Sequence, residues 1–337
     1  MKALRCLAPN EVCIVDMPKP ELQQDELLIK PLATGICGTD IEIIEGGVDP
    51  AYIRYPITLG HEWVGRVEVS QRSSTTITKG NRVVVEGIIP CEKCIECKAG
   101  ATNRCMKYDE IGFTRDGAAA GLISVPAKLA HVINEQVSDE SAALVEPAAV
   151  VYQGLLRINP TPNSKILVVG DGTIGLLAIT LAKGFKPKVL DAYGIRSSQE
   201  GLVLQAGADR FITSTSNLTK DYDYIIEAAG AVAAVDIALT QGKRGSQVLL
   251  LGYPEHGARL SLGVHDLINN DLTIHASFSY TRKSWRAVVD LLNSGALDLT
   301  FVVTHKYSLD EWPQALQTLR ALFSQPRGKV LLVLDLD

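Results

Sequence analysis

The chain has 337 residues, a length that predicts two domains at roughly 150 residues per domain. Apolar residues make up 46% and charged residues 21%, which excludes an intrinsically disordered protein. The formal net charge of −5 gives no general attraction to nucleic acid or to an anionic membrane surface, so we expect neither as a partner.

The start of the chain carries no sign of export. MKALRCLAPNEV lacks the apolar core of a signal peptide, and every later apolar run is broken before the roughly 18 residues that a membrane span needs. Four of the seven cysteines lie between Cys91 and Cys105. In a chain without a secretory signal, such a cluster indicates metal binding before disulfides. We therefore expect a cytoplasmic protein.

The first 150 residues alternate short apolar runs with glycine and proline, which predicts a β-rich domain. The predicted strands are VCIVDMP, ELLIKPLATGI, WVGRVEVS, NRVVVEGII and LISVPAKLAHVI. From Ser138 the apolar spacing becomes helical, through SDESAALVEPAAVVYQGLLRI.

From Lys165 onward, predicted strands alternate with helices. The strands are KILVVG, KVLDAY, RFIT, YDYIIEAAG and SQVLLLGYP, with helical segments such as TIGLLAITLAKGF and SSQEGLVLQAGA between them. This order predicts right-handed crossovers and a parallel sheet. The tail adds two helices, WRAVVDLLNSGAL and WPQALQTLRALF, and a last strand, KVLLVLDLD.

Two sets of residues have the chemistry of zinc ligands. Cys91, Cys94, Cys97 and Cys105 have the spacing of a closed four-sulfur structural site, with free or disulfide-bonded cysteines and an iron–sulfur cluster as the alternatives. Cys37 in GICGTD, His61 in LGHE and Glu146 in LVEP would supply three ligands of an open, catalytic site, with Asp40 holding the second ring nitrogen of the histidine. Packing roles for the lone cysteine and histidine are the alternative.

The segment KILVVGDGTIGLL places G-x-G-x-x-G between a strand and a helix. Gly170 allows the tight turn, Gly172 the approach of a pyrophosphate, and Gly175 close packing of helix on strand. The helix N-terminus, with Thr173 and Ile174, adds N–H groups for the phosphates. We predict dinucleotide binding, with a merely structural glycine turn as the alternative.

In chain order, GICGTD, LGHEWVG, CEKCIECKAGATNRC, GDGTIG and LTIHASFSY resemble the zinc-dependent medium-chain dehydrogenase/reductase family over essentially the whole length. The resemblance implies an α/β protein. Residues 1–150 and 287–337 would form a GroES-like β-rich catalytic domain around a Rossmann domain, a doubly wound parallel sheet, at 151–286. It also implies that Cys37 and His61 bind the catalytic zinc, that Glu62 or Glu146 is the third ligand, and that Thr39 passes a proton from the substrate. A threonine that caps a turn is the alternative for Thr39.

The implied activity is hydride transfer between a nicotinamide cofactor and a secondary alcohol or ketone, with two zinc ions per chain in a homodimer or homotetramer. VEPAAVVYQG resembles the polyol, cyclitol and sugar dehydrogenase branches. A threonine-type dehydrogenase is the main alternative. A zinc-free quinone-type reductase and a non-enzymatic dinucleotide-binding protein fit the cysteine and histidine motifs less well.

The choice between NAD and NADP depends on the end of the second Rossmann strand. Asp191 lies 21 residues after Gly170, where an acidic residue binding the ribose diol favours NAD. Counted back from AGAD, the strand instead ends at Tyr193 and Gly194, and Arg196, Ser197 and Ser198 follow as partners for a 2′-phosphate. We favour NADP, with a solvated Arg196 before a capped helix as the alternative. Lys329 is expected near the cofactor phosphates or in solvent.

Overall fold

The structure, a computed structural model, describes residues 1–70, 76–255, 257–260, 263–321 and 325–335. Its strands are β1 (Lys2–Ala8), β2 (Glu11–Asp16), β3 (Glu26–Ile36), β4 (Ile57–Thr58), β5 (Glu62–Ser70), β6 (Arg82–Val85), β7 (Ile88–Ile89), β8 (Asp109–Glu110), β9 (Ile123–Pro126), β10 (Ala130–Val132), β11 (Lys165–Val169), β12 (Val189–Tyr193), β13 (Arg210–Ile212), β14 (Tyr222–Glu227), β15 (Gly242–Leu250), β16 (Thr273–Ala276), β17 (Val303–Ser308) and β18 (Lys329–Val333).

The helices are α1 (Gly38–Glu45), α2 (Ile95–Lys98), α3 (Asp139–Ala143), α4 (Val145–Ile158), α5 (Thr173–Ala182), α6 (Glu200–Ala206), α7 (Val232–Thr240), α8 (Val264–Asn269), α9 (Arg282–Asn293) and α10 (Trp312–Arg320). Within the described ranges, none of them is long and apolar enough to cross a bilayer.

The backbone contacts divide the chain into two compact units. Unit 1 comprises Met1–Glu146, Thr281–Leu322 and Lys329–Asp337, and unit 2 comprises Pro147–Tyr280 and Phe323–Gly328. The sequence placed these boundaries after residues 150 and 286 and assigned the whole tail to the catalytic domain. Arg327 instead belongs to unit 2, because its backbone N–H and carbonyl bond the Gln199 side chain at 2.7 and 2.8 Å.

Unit 1 is built on β-sheets, as its alternating apolar runs predict. Its largest sheet runs β10-β6-β5-β3-β18-β17, with β9 also paired to β3, and a smaller sheet runs β2-β1-β4. One core lies around Trp63 and Leu27, and a second around Ile43 and Leu332. The predicted runs NRVVVEGII and LISVPAKLAHVI are each broken into two strands. The sequence missed β1, α1 and β17.

Unit 2 contains a six-stranded parallel sheet in the order β13-β12-β11-β14-β15-β16. Because α5 is apolar on nearly every side, it is buried through Leu176, Leu177 and Ile179. The chain crosses from β13 to the other side of β11 to form β14, which creates a switch in strand order beside the end of β11. Ligands of doubly wound folds bind at such a switch point. The predicted Rossmann architecture is confirmed.

Candidate metal and nucleotide sites

The first candidate metal site begins at the N-terminus of α1, where Cys37 is the N-cap. Its Sγ accepts a hydrogen bond from the backbone N–H of Thr39 at 3.3 Å, while Asp40 Oδ2 accepts one from the backbone N–H of Cys37 at 2.9 Å. This reciprocal capping fixes the thiol at the junction of β3 and α1. Because Cys37 provides the cap, capping does not account for Thr39, which is half-buried at the second position of the helix.

His61 lies between Cys37 and Asp40. Its Nε2 is 3.2 Å from Cys37 Sγ, and its Nδ1 is 3.6 Å from Asp40 Oδ1. Burial opposes a charge on the ring, but the negative charges of Cys37 and Asp40 raise the pKa of His61 well above its usual value. Asp40 stands where a carboxylate that orients a ligand histidine would stand.

Glu62 and Lys329 form a buried ion pair beside the histidine. Only 3% of Glu62 and 2% of Lys329 are exposed, and Lys329 Nζ contacts Glu62 Oε2. Gly35 leaves room for the pair, because a Cβ there would lie 2.3 Å from Glu62 Oε2 and 2.5 Å from Lys329 Cε. Burial lowers the pKa of Lys329, but the charges of Glu62 and Cys37 outweigh it and raise that pKa. A solvated Lys329 is therefore wrong.

Two more carboxyl groups face these residues, from α4 and β8. Burial, and after it the charge of Glu62, raises the pKa of Glu146. Burial raises the pKa of Glu110 to about 7, against the opposing effect of His61. Glu110 was not predicted to be a site residue, because its only signal is an acidic residue in a short strand.

The residues that could hold a metal ion here are Cys37, His61 and Glu62, whose ligand atoms all lie within 4.8 Å of one another. Among the described residues, Glu146 does not belong to this group. Two buried polar atoms of the site, Asp40 Oδ1 and His61 Nδ1, form no hydrogen bond in the described structure and face each other at 3.6 Å, whereas Glu62 Oε2 contacts Lys329. One sulfur and one nitrogen of a tetrahedral zinc shell lie about 3.5 Å apart, close to the observed 3.2 Å. The donor set fits zinc.

The second candidate metal site is the cysteine loop around α2. Cys94 Sγ and Cys97 Sγ are 3.4 Å apart, and Cys91 Sγ and Cys97 Sγ are 3.9 Å apart. Cys105 completes a group in which all four sulfur atoms lie within 4.8 Å. Tetrahedral zinc places its sulfur ligands about 3.8 Å apart, so the loop fits a closed site. Backbone N–H groups of Lys93 and Cys94 lower the pKa of Cys91, which favours its thiolate.

The glycine-rich turn joins β11 to α5, as predicted. Gly170 has φ +133°, and a Cβ there would lie 2.8 Å from the backbone of Ala228. Gly172 is the N-cap of α5, and Thr173 and Ile174 are the first two residues of that helix. A Cβ at Gly175 would lie 2.1 Å from the carbonyl oxygen of Gly170. The turn therefore requires glycine at positions 170 and 175.

The acidic residue found by counting does not face this turn. Asp191 is fully buried inside β12, where it accepts hydrogen bonds from Arg210 Nη2 at 2.6 Å and from the Tyr222 hydroxyl at 2.7 Å. β12 ends at Tyr193, as the count from AGAD predicts, and Gly194 follows.

Arg196 is buried rather than solvated, with 8% of its surface exposed, and Ser197 opens the 3₁₀ turn after it. Its Nε lies 2.9 Å from Asp171 Oδ1, and its backbone N–H donates to Asp171 Oδ2 at 3.1 Å. Asp171 was not predicted to be a site residue, because the second position of G-x-G-x-x-G carries no fixed residue type.

Comparisons with known proteins cover both units. The family described as alcohol dehydrogenase GroES-like domain matches residues 23–135, and the family described as zinc-binding dehydrogenase matches residues 173–294. L-threonine 3-dehydrogenase of Shewanella woodyi is 30% identical over 99% of this chain and 100% of its own length. Sorbitol dehydrogenase of Bacillus subtilis is 30% identical over 94% of this chain and 93% of its own length.

Among solved structures, a zinc-binding dehydrogenase from Sinorhizobium meliloti bound to NADP superposes with a TM-score of 0.91 at 27% identity, covering 98% of each chain. The predicted combination of a GroES-like domain with a Rossmann domain is confirmed.

Proposed function

Because this chain belongs to the zinc-binding medium-chain dehydrogenase/reductase family, we propose that it interconverts a secondary alcohol and a ketone with NADP as the hydride carrier. The observation that carries the proposal is the buried group of one sulfur, one nitrogen and one carboxylate at Cys37, His61 and Glu62. When bound, zinc supplies a Lewis acid for the substrate oxygen, and the nicotinamide accepts the hydride.

The residues around this group have distinct tasks in the proposal. Cys37, His61 and Glu62 hold the catalytic zinc, and Asp40 keeps the Nε2 atom of His61 directed at it. Lys329 balances the charge of Glu62 in the metal-free protein. Thr39, in the first turn of α1 beside Cys37, passes the hydroxyl proton of the substrate toward the ribose and solvent. The four-cysteine loop holds a second, structural zinc.

The charges at the site favour a neutral polyol, cyclitol or sugar as substrate. Four carboxyl groups influence His61 or its neighbours, at Asp40, Glu62, Glu110 and Glu146. The one lysine found among these contacts in the described structure, Lys329, is engaged by Glu62. A threonine substrate would bring a carboxylate of its own close to these groups, whereas the hydroxyl groups of a polyol can bond to ionised and to neutral carboxyl groups alike.

A threonine-type dehydrogenase is the second candidate, supported by the 30% identity to L-threonine 3-dehydrogenase. The test measures turnover of polyols, cyclitols, aldoses and threonine by the zinc-loaded enzyme, monitored through the absorbance of the reduced nicotinamide. We expect kcat/KM for the best polyol or cyclitol to exceed that for threonine by at least about tenfold. A preference for threonine would overturn the substrate class but leave the family chemistry intact.

Two further proposals concern assembly and location. β16 is the edge strand of the parallel sheet, and Tyr253, Val264 and Ile268 nearby are each about 70–80% exposed. An open edge beside exposed apolar side chains favours pairing with a second copy, so we propose a homo-oligomer, to be tested by light scattering. All seven cysteines lie outside disulfides, which supports a reducing, cytoplasmic location.

A further inference from the structure

The carboxylate at the end of β12 comes from another part of the chain. Gly194, which follows the strand, has no side chain, and a Cβ built there would lie 2.3 Å from Asp171 Oδ2 and 2.6 Å from Asp171 Cβ. The side chain of Asp171 therefore fills the space that an acidic residue at position 194 would need. An acid at this strand end ordinarily receives the hydrogen bonds of the adenosine ribose.

Arg196 is held by the same carboxylate beside the glycine turn. Its Nη2 lies 2.5 Å from Asp171 Oδ1 and 3.9 Å from the position of a Cβ at Gly172. Its Nη1 is buried and has no hydrogen-bond partner in the described part of the chain. The buried guanidinium N–H of Arg196 lies next to the free backbone N–H groups at the N-terminus of α5. Together these hydrogen-bond donors provide a site for an anion.

Arg327 adds a second positive charge to this group. Gln199 connects the two, because its Nε2 donates to the backbone oxygens of Asp171 at 2.5 Å and of Arg327 at 2.8 Å. Burial, and after it the charge of Arg196, lowers the pKa of Arg327. Two guanidinium groups and one carboxylate leave a net charge of about +1 beside the turn.

We infer that Asp171 is a specificity-determining residue for the dinucleotide, an inference that rests on the proposed dehydrogenase function. Its carboxylate offers an acceptor to the ribose 2′-hydroxyl of NAD and holds the guanidinium that a 2′-phosphate would need. NADP must share Arg196 with Asp171, and its phosphate meets a like charge. Asp171 thus restrains the preference for NADP that Arg196 and Arg327 create.

The test is calorimetric titration of the full-length protein with NAD and with NADP, which differ only in the 2′-phosphate. Asp171→Asn keeps the size of the side chain and an acceptor for the backbone N–H of Arg196 but removes the charge. We expect the ratio of the NAD to the NADP dissociation constant to rise at least about tenfold in this variant. Asp171→Ser should shift the ratio in the same direction, and it replaces Asp171→Asn if that variant does not fold.

Asp191→Asn is the matched control, because Asp191 is also a buried, arginine-paired carboxylate of the same sheet but lies away from the turn. Its ratio should stay within about twofold of the wild type. An unchanged ratio in a folded Asp171 variant that binds both cofactors would overturn the role of Asp171 and leave the dehydrogenase proposal standing. A ratio that changes only in Asp191→Asn would reassign the role to that residue. Wild-type protein that binds neither dinucleotide would overturn both proposals.

Discussion

Replacing Lys329 by methionine should have opposite effects on zinc-free stability and on zinc affinity. Lys329 and Glu62 are both almost fully buried, so removing the lysine leaves a carboxylate without its compensating charge. Breaking a buried ion pair in this way costs about 3–5 kcal/mol, and the apolar methionine stem recovers part of it through packing. We therefore expect the zinc-free variant to be destabilised by about 3 kcal/mol.

In the zinc-loaded protein the metal would neutralise Glu62, and the same substitution should cost only about 1 kcal/mol. The difference of about 2 kcal/mol must appear, by linkage, as a roughly thirtyfold gain in the affinity of zinc for the variant. All three tryptophans, Trp63, Trp285 and Trp312, belong to unit 1, so their fluorescence during urea unfolding reports on that unit alone. Zinc affinity is measured by competition with a chelator.

The matched control is Lys306→Met, which breaks the pair of Lys306 and Glu140 in the same unit. The Lys306 side chain is 55% exposed, so this substitution should cost less than about 1 kcal/mol with or without zinc. An equal loss of stability for Lys329→Met in the zinc-free and zinc-loaded proteins would refute the idea that lysine and metal compensate the same carboxylate.

Four other substitutions test the two metal sites, the glycine turn and the buried contact of Asp191. Cys94→Ser should lower the zinc content from two to about one ion per chain and destabilise unit 1. Cys37→Ser should instead abolish turnover in a protein that still folds. If both variants lost activity only because they unfolded, this division of roles would be contradicted. Gly175→Ala should weaken dinucleotide binding at least about tenfold through its backbone clash, with the zinc content by elemental analysis unchanged. Tyr222→Phe, which removes a donor to buried Asp191, should cost about 1.5–3 kcal/mol by circular dichroism melting, and a neutral effect would argue against a strong hydrogen bond.

The sequence predicted those parts of the sites that depend on local spacing. The cysteines of the loop lie within fifteen residues, and the glycine turn lies within six, so short-range geometry determines both. Cys37 and His61 were found through their surrounding glycines and the family resemblance. Glu110 was not predicted, and Lys329 was expected near the cofactor phosphates or in solvent. The pairing of Lys329 with Glu62 could not be found from spacing, because the two residues meet only when β18 pairs with β3.

Counting forward from Gly170 was also a poor guide at the end of β12, although the count back from AGAD placed that end correctly. Asp191 has the expected distance from Gly170, but the alternation of side chains along the strand directs it into the sheet toward Arg210. The acidic group near Gly194 is contributed by Asp171, from the preceding crossover. Residue spacing in a single sequence does not reveal that Asp171 replaces an acid at position 194, because this replacement depends on which side chain fills the space above Gly194.

The position of β18 in its sheet has a consequence for folding during synthesis. The strand lies between β3 and β17, yet it follows all of β11–β16 in chain order. Unit 2 can therefore complete its sheet while this interior strand of unit 1 is still inside the ribosome. Until then the edge of β3 is open over residues 33–36, beyond the residues that pair with β9, and Glu62 has no lysine. Because β3 and β18 are far apart in sequence, their pairing is a slow, late step of folding. We therefore expect a higher yield of folded protein with a chaperone that covers the open edge of β3, or with zinc, which would compensate Glu62.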